Sequence, residues 1–314
     1  MLSCKLKYRA IITDYILFNF LELTDKAIRD EYIFAPDWEH IVHNLNPPND
    51  TPDFLSDKVV AYKRYKDYFH RDVLIVEEAS DDDMRTFFKN NPVFFGKRSW
   101  SYSGYDVVKM RVEDQPVAAL IRRVRNEKFD LLEAEIVQHP KMDTICPTAC
   151  HSIRVTTFKR GDKMLIMPVT ARVALFDDID RITTGQSVGS ICVDENGYLV
   201  SDAIINDTVF DYDEPTHFAV HPLTGVPISD GSFQLPDYQA MMDMVTELVE
   251  NEDEYGHIGW DIALAESGPC VIEANPWGIY EFYEYYDHVK RLPKRIRPML
   301  EDFFECKLED LPIR

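Results

Sequence analysis

The 314-residue chain has no C-x-x-C pair, no apolar run of membrane-spanning length, no internal repeat and no low-complexity segment. Each absence closes a class. The six cysteines stand at 4, 146, 150, 192, 270 and 306, so zinc-site and dithiol redox spacings are missing, and reduced thiols of a cytoplasmic protein are expected. Without about 20 consecutive apolar residues, no transmembrane helix is predicted. Segment 11–23 carries Asp14 and Glu22 and lacks a basic start and a cleavage site. It reads as a buried amphipathic helix rather than a signal peptide. Positive charge is scarce: 34 Lys and Arg face 55 Asp and Glu, for a net charge of −21. Such a chain repels phosphate backbones, which argues against nucleic acid as a partner. A nucleotide could bind only in a local basic pocket. The basic stretch 290–297 reads as a solvated helix end, with a docking patch for an anionic partner or membrane surface the lesser reading.

What is present is an ordinary globular composition, 45% hydrophobic and 28% charged, long enough for two or three subdomains. Residues 1 to about 75 show helical spacing punctuated by Pro36, Pro47, Pro48 and Pro52, with a short strand at 73–76. Ser80 followed by three aspartates predicts a capped helix over 84–89. Beyond 92 the pattern is strand-rich, with candidates at 93–95, 106–110, 117–121, 131–137, 153–158 and 164–174. Helices are expected over 235–251, 282–289 and 298–306. The fold class is α+β, with mostly antiparallel sheets behind a helical N-terminal part.

The most informative stretch is GWDIALAESGPCVIEANP, residues 259–276. Two apolar runs flank Glu266-Ser267-Gly268-Pro269, a turn signal, so the stretch predicts a β-hairpin. Alternation puts Glu273 and Asn275 on one face, with Asp261 opposite Glu273 or Asn275. Two close carboxylates repel unless a cation lies between them, and oxygen-only ligands suit Mg²⁺. An edge hairpin with solvated charges is the alternative. Upstream, a strand delivers Lys97 into the Ser- and Gly-bearing loop 99–104. Such a loop can aim backbone N–H groups at phosphates, though a plain hairpin explains it too. An apolar strand ends in Glu133, whose carboxylate or neighbouring backbone could accept from an adenine amino group. Arg154 and Arg172 lie in β-rich stretches; if inward, each needs an anion or a salt-bridge partner.

In order, these segments resemble the ATP-grasp superfamily, and more narrowly its sugar-transfer-associated family. The resemblance rests on EIVQHPKM (135–142), HSIRVTTF (151–158), HPLTGVPI (221–228), GWDIAL (259–264) and VIEANPWG (271–278). It implies an ATP-grasp fold, with two α+β subdomains gripping ATP between antiparallel sheets. It implies a helical part over 1–80, a small subdomain with the phosphate loop over 81–145, and a large subdomain with the metal site over 146–314. Carried over residue by residue, Lys58 and Lys97 would contact phosphate, and Ser101, Ser103 and Gly104 would sit in the loop closing over it. Glu133 and the Ile136 backbone would form the adenine hinge. Asp261, Glu273 and Asn275 would hold Mg²⁺, and Arg154 and Arg172 would stabilise the transferring phosphoryl group or a bound carboxylate. His221 falls in a family motif. The strand before Lys97 departs from the family, reading Phe-Phe-Gly-Lys-Arg where relatives have an apolar strand ending Lys-Pro.

The resemblance implies an ATP- and Mg-dependent carboxylate–amine ligase working through an acyl phosphate. Its acid and amine substrates are small molecules, with sugar- and peptide-linked ones among the candidates, and polysaccharide biosynthesis is an expected setting. A phosphotransferase acting on a hydroxyl and a non-catalytic nucleotide-binding scaffold are the other readings. Oligomeric state is not encoded in any feature identified.

Overall fold

The computed structural model describes residues 22–51, 54–100, 107–176, 188–205, 216–278 and 295–311, with positions 7, 14, 15, 18 and 20. In chain order the elements are α1 (Lys26–Arg29), α2 (Ala35–Leu45), α3 (Lys58–Tyr65), β1 (Val73–Ile75), α4 (Asp81–Asn90), β2 (Val93–Lys97), β3 (Val107–Arg111), α5 (Val117–Asn126), β4 (Leu131–Ala134) and α6 (Pro140–Asp143). There follow β5 (Ser152–Arg160), β6 (Lys163–Ile166), β7 (Val169–Ala174), β8 (Val188–Val193), β9 (Ala203–Ile205), β10 (Thr216–Phe218), α7 (Tyr238–Glu250), β11 (His257–Ala265), β12 (Gly268–Asn275) and α8 (Ile296–Phe304).

The strands form two antiparallel sheets. The smaller has the order β1-β4-β2-β3. Phe94, Met110 and Leu132 on one of its faces pack with Met84 and Phe88 of α4 and Leu120 of α5. Ser80 caps α4: its side chain accepts from Asp83 N while the Asp83 carboxylate takes Ser80 N, a reciprocal capping box. The larger sheet runs β10-β9-β8-β7-β5-β11-β12, with β6 pairing β5. One face, carrying Val155, Ala171, Ile191 and Trp260, is covered by Met241 and Val245 of α7. A third apolar cluster joins Trp38 and Ile41 of α2 to Leu300 of α8 and to Phe158 of β5.

Three expectations need correction. The apolar run at 117–121 belongs to helix α5, because Leu120, Ile121 and Val124 recur at helical spacing and are the residues it buries. The span 164–174 is two strands rather than one, since Pro168 between β6 and β7 has no N–H for a ladder. Helix α7 starts at Tyr238, past Pro236, with Asp237 in a left-handed conformation at its head. The helix expected over 282–289 lies outside the described residues.

The helical N-terminal part is riveted to the large sheet at Asn46. Its Nδ2 donates to the carbonyls of His257 (2.9 Å) and Pro276 (2.8 Å), and its Oδ1 accepts from His257 N (2.9 Å). The His257 ring is fully enclosed, edge-on to Trp38 at 5.1 Å between centroids. Its Nδ1 lies 3.0 Å from Pro276 O, and a carbonyl can only accept, so Nδ1 carries the proton. Burial pushes this imidazole down to about 4. Burial, then the nearby His221, does the same to His151. The unfolded chain protonates such rings near 6.5, and the folded chain does so only near 4. Stability is therefore complete above pH 6.5 and drains as pH falls towards 4. Urea midpoints should drop across that interval. In a His257→Asn chain, whose amide can still donate to Pro276, about half of this dependence should vanish. An unchanged pH profile in that variant would show that His257 is not responsible.

Candidate functional site

The polar faces of the two sheets come together at Arg71, which joins Glu133 of β4 to Val271 O of β12, and the space they border is the candidate cleft. On the large sheet the hairpin register pairs Asp261 with Glu273 and Gly259 with Asn275. A two-residue turn, Glu266–Ser267, closes the hairpin, and Gly268 takes φ +112, which a side chain would strain. Between Asp261 and Ile262 the register shifts, leaving Ile272 as an extra residue on β12. This bulge keeps Asp261 beside Glu273 while letting Ile262 and Val271 pair on the core side. It also gathers Ala263, Ala265 and Cys270 with Ile272 and Ile136 into a small apolar patch on the cleft side. Beyond β4, Glu266 N donates to Val137 O and His139 N to Leu264 O, both at 2.9 Å, so the chain after Glu133 is stitched to the end of β11.

Arg154 lies beside Asp261 on the neighbouring strand β5. Its Nε and Nη2 take the two carboxylate oxygens at 2.8 and 2.9 Å. Gly259 makes room for this fork, because a Cβ there would stand 3.2 Å from Arg154 Nη1. Asn275 Nδ2 donates to Asp261 Oδ2 at 3.0 Å. Burial works against ionisation of Asp261, but Arg154, Arg172 and Asn275 together outweigh it, and the carboxyl stays below its ordinary range. Both Asp261 oxygens are thus engaged within the protein. Arg172 is paired with Ser152, two residues from Arg154 on the same face. Burial depresses its guanidinium, with Asp261 and Glu273 opposing and Arg154 reinforcing the shift. Its buried Nε meets no hydrogen-bond acceptor among the described residues.

Glu273 is answered by Lys58 Nζ at 3.1 Å. Lys58 is the first residue of α3, whose N-cap Asp57 accepts from Val59 N (2.8 Å) and Val60 N (3.3 Å). The far end of α3 is held by Glu252: Arg64 forks onto it at 3.0 and 2.6 Å, and the Tyr65 hydroxyl donates to it. On the small sheet Lys97 Nζ meets Glu133 Oε2 at 2.8 Å. Both point away from α4 and α5, because Phe94, Gly96 and Leu132 occupy the opposite parity.

Of the predicted site residues that are described, Lys58, Arg154, Arg172, Asp261, Glu273 and Asn275 gather at the polar face of β5, β7, β11 and β12, Lys97 and Glu133 pair on the small sheet, and Ile136 packs on the apolar patch. Ser101, Ser103 and Gly104 lie outside the described residues. Among the described residues no group of three or more His, Cys, Asp and Glu is arranged to hold a metal. Asp261, Glu273 and Asn275 bring two carboxylates and an amide, a hard-oxygen donor set of the type Mg²⁺ prefers when phosphate oxygens and water complete its shell. Sequence reasoning left Arg154 open between an anion and a salt bridge; Asp261 is its partner. His221 is structural in its contacts: Nε2 reaches Ala174 O at 2.8 Å, while Nδ1 accepts from Leu223 N and Thr224 N at 3.3 Å. Two residues went unrecognised. Glu252 sits in a run of ordinary surface acids, and Arg71 is a single cation before a short strand. Neither has a local pattern, since the oppositely charged partner of each is more than sixty residues away.

No curated protein matches the chain. Among solved structures, D-alanyl-alanine synthetase A of Vibrio cholerae is similar at 12% identity and a TM-score of 0.49, over 82% of this chain and 66% of its own. The N5-carboxyaminoimidazole synthase of Aspergillus clavatus, solved with ADP and 5-aminoimidazole ribonucleotide, is similar at 11% and 0.43, over 78% and 53%. The D-alanine-D-alanine ligase of Coxiella burnetii is similar at 10% and 0.41, over 82% and 58%. The chain therefore spans between 53% and 66% of the length of these three proteins. A family model described as sugar-transfer associated ATP-grasp matches residues 108–280, more than half of the chain. That span runs from β3 of the small sheet through the Asp261–Glu273–Asn275 hairpin, and the chain belongs to the sugar-transfer-associated ATP-grasp family.

Proposed function

We propose that the chain is an ATP- and Mg-dependent ligase that activates a small carboxylic acid as an acyl phosphate and passes it to an amine. The observation that carries this reading is the cleft itself: Lys97 and Glu133 on one sheet, Asp261, Glu273, Asn275 and Arg172 on the other, and Lys58 reaching Glu273 from the head of α3. Phosphoryl transfer asks a protein chiefly for positioning and charge stabilisation, and this set supplies both without a protein nucleophile. Lys97 would exchange Glu133 for the phosphates, and Lys58 would give up Glu273 where that carboxylate serves as a metal ligand. Glu273 and Asn275, with Asp261 beside them, would hold Mg²⁺, which neutralises charge on the phosphates. The Ile136 backbone and Glu133 receive adenine over the apolar patch. Arg172, with its Nε unpartnered, takes the carboxylate of the acid or the phosphoryl oxygens. Arg154 acts through Asp261, holding that carboxylate ionised and in place. The acid attacks the γ-phosphorus, the bond to the β–γ bridging oxygen breaks, and ADP leaves. The amine then displaces phosphate from the acyl carbon and loses a proton.

Two outcomes test this. With ATP, Mg²⁺, a panel of small acids and hydroxylamine as surrogate amine, the wild type should release ADP and form a hydroxamate. Glu273→Gln should lower that rate by about 10²-fold or more while the chain stays folded. A stable phosphoester instead of hydroxamate would establish a phosphotransferase. ATP hydrolysis indifferent to every acceptor would point to a scaffold. Arg172→Met should raise KM for the productive acid by about 10- to 100-fold and leave nucleotide affinity within about threefold. An unchanged KM would remove Arg172 from the acid subsite.

A further inference from the structure

Arg71 has no place in the reading above, yet it is one of the most enclosed cations of the described residues, its side chain 5% exposed. It precedes β1 and makes four hydrogen bonds. Its Nη2 and Nε both reach Glu133 Oε2, at 2.5 and 3.1 Å. Its Nη1 reaches two backbone carbonyls, Phe69 O at 3.0 Å and Val271 O at 2.6 Å. Val271 lies on β12, next to Ile272 and Cys270 of the apolar cleft patch. One guanidinium thus joins the carboxylate of the small sheet to the strand that floors the cleft on the large sheet.

Three donors, counting Lys97, converge on a single Glu133 oxygen. Among the described residues no donor reaches the other oxygen, Oε1. Resting on the nucleotide-binding reading proposed above, we propose that Arg71 is a positioning residue for nucleobase selectivity: it grips Glu133 through Oε2 and leaves Oε1 as the open acceptor for a 6-amino purine. The argument is one of charge and geometry. A buried carboxylate needs a cation, and Lys97 is the cation a phosphate would draw away. Arg71 is out of reach of that exchange, because its other prong is committed to backbone, so Glu133 keeps its partner when nucleotide arrives. Burial disfavours the charged form of Glu133, but Lys97 and then Arg71 hold the carboxyl at about 2. An ionised carboxylate accepts from an amino group and repels a 6-oxo group. The tie to Val271 O fixes the acceptor relative to the patch on which the base would lie.

The test is isothermal titration of ADP and of inosine diphosphate, each with Mg²⁺, into the full chain. Wild type should bind ADP more than tenfold tighter than inosine diphosphate. In Arg71→Met, ADP should weaken by about tenfold or more and inosine diphosphate by less than about threefold, so the preference collapses. Glu133→Gln should collapse it likewise, and adding Arg71→Met to that variant should change little more, because the arginine acts through the carboxylate. If Arg71→Met does not fold, Arg71→Lys carries the test: it keeps the charge, cannot fork, and should still lower the ratio. Equal weakening of both nucleotides in a variant that melts like wild type would overturn the proposal and leave Arg71 a structural rivet. An unaltered ratio in Arg71→Lys would overturn it too. Failure of the wild type to bind either nucleotide would sink the functional reading beneath it.

Discussion

The Arg154–Asp261 fork is the interaction on which the large sheet's cleft face depends. Strands β5 and β11 are central in that sheet, and β11 is buried along its whole length. A lone charge on such a strand would be costly, and removing one partner of a buried pair typically costs about 3–5 kcal/mol. Together the two residues let a polar face persist inside the molecule. Their register sets everything beside them. Asp261 is cross-paired with Glu273, draws the Asn275 amide, and faces an arginine that needs the space Gly259 leaves open. A Leu or Val at Gly259 would press on Arg154, and the carboxylate it holds would turn with it.

The same device recurs at the joints of the chain. Glu252 gathers Arg64, Tyr65 and the backbone N–H groups of Glu254 and Tyr255, which fixes α3 against the loop after α7. Glu133 gathers Lys97 and Arg71 and fixes the small sheet against β12. Each buried carboxylate is satisfied by cations from distant parts of the sequence. Each therefore specifies a tertiary arrangement rather than a local one. Apolar packing alone tolerates sliding, whereas a forked arginine does not. The cleft is accordingly framed by Asp261 and Glu133, and α3 is anchored by Glu252, three carboxylates that cannot be moved without stranding a charge.

This explains what could be read from the sequence and what could not. The hairpin at 259–276 was legible because its information is local: a turn tetrapeptide, alternation and two apolar runs. Even its register was available to within one choice, Glu273 or Asn275 opposite Asp261, and the structure selects Glu273. The bulge at Ile272 was not legible, since no residue type marks it. Helix α5 was misread as a strand because Val117-Ala118-Ala119-Leu120-Ile121 is apolar throughout, and its period appears only when Val124 is counted. Arg71 and Glu252 were invisible for a different reason. Their roles are created by residues far along the chain, and a single Arg or Glu carries no periodicity.

The acidic total of the chain and the anionic ligand proposed for it are reconciled at short range. With a net charge of −21, the molecule as a whole repels a nucleotide. Yet the described cleft residues bring Lys58, Arg71, Lys97, Arg154 and Arg172 against only Glu133, Asp261 and Glu273. Beyond about 8 Å at physiological salt, exposed charges are largely screened, while groups in a low-dielectric cleft are not. An approaching phosphate therefore senses the local excess of cations more than the distant excess of acids. The acids then act against everything else. A polyanion too long to enter the cleft meets the negative exterior, whereas a small anion that fits inside meets the arginines and lysines. A chain acidic overall with a cationic cleft would favour a small anion, such as the proposed nucleotide, over a long polyanion that must lie along the exterior.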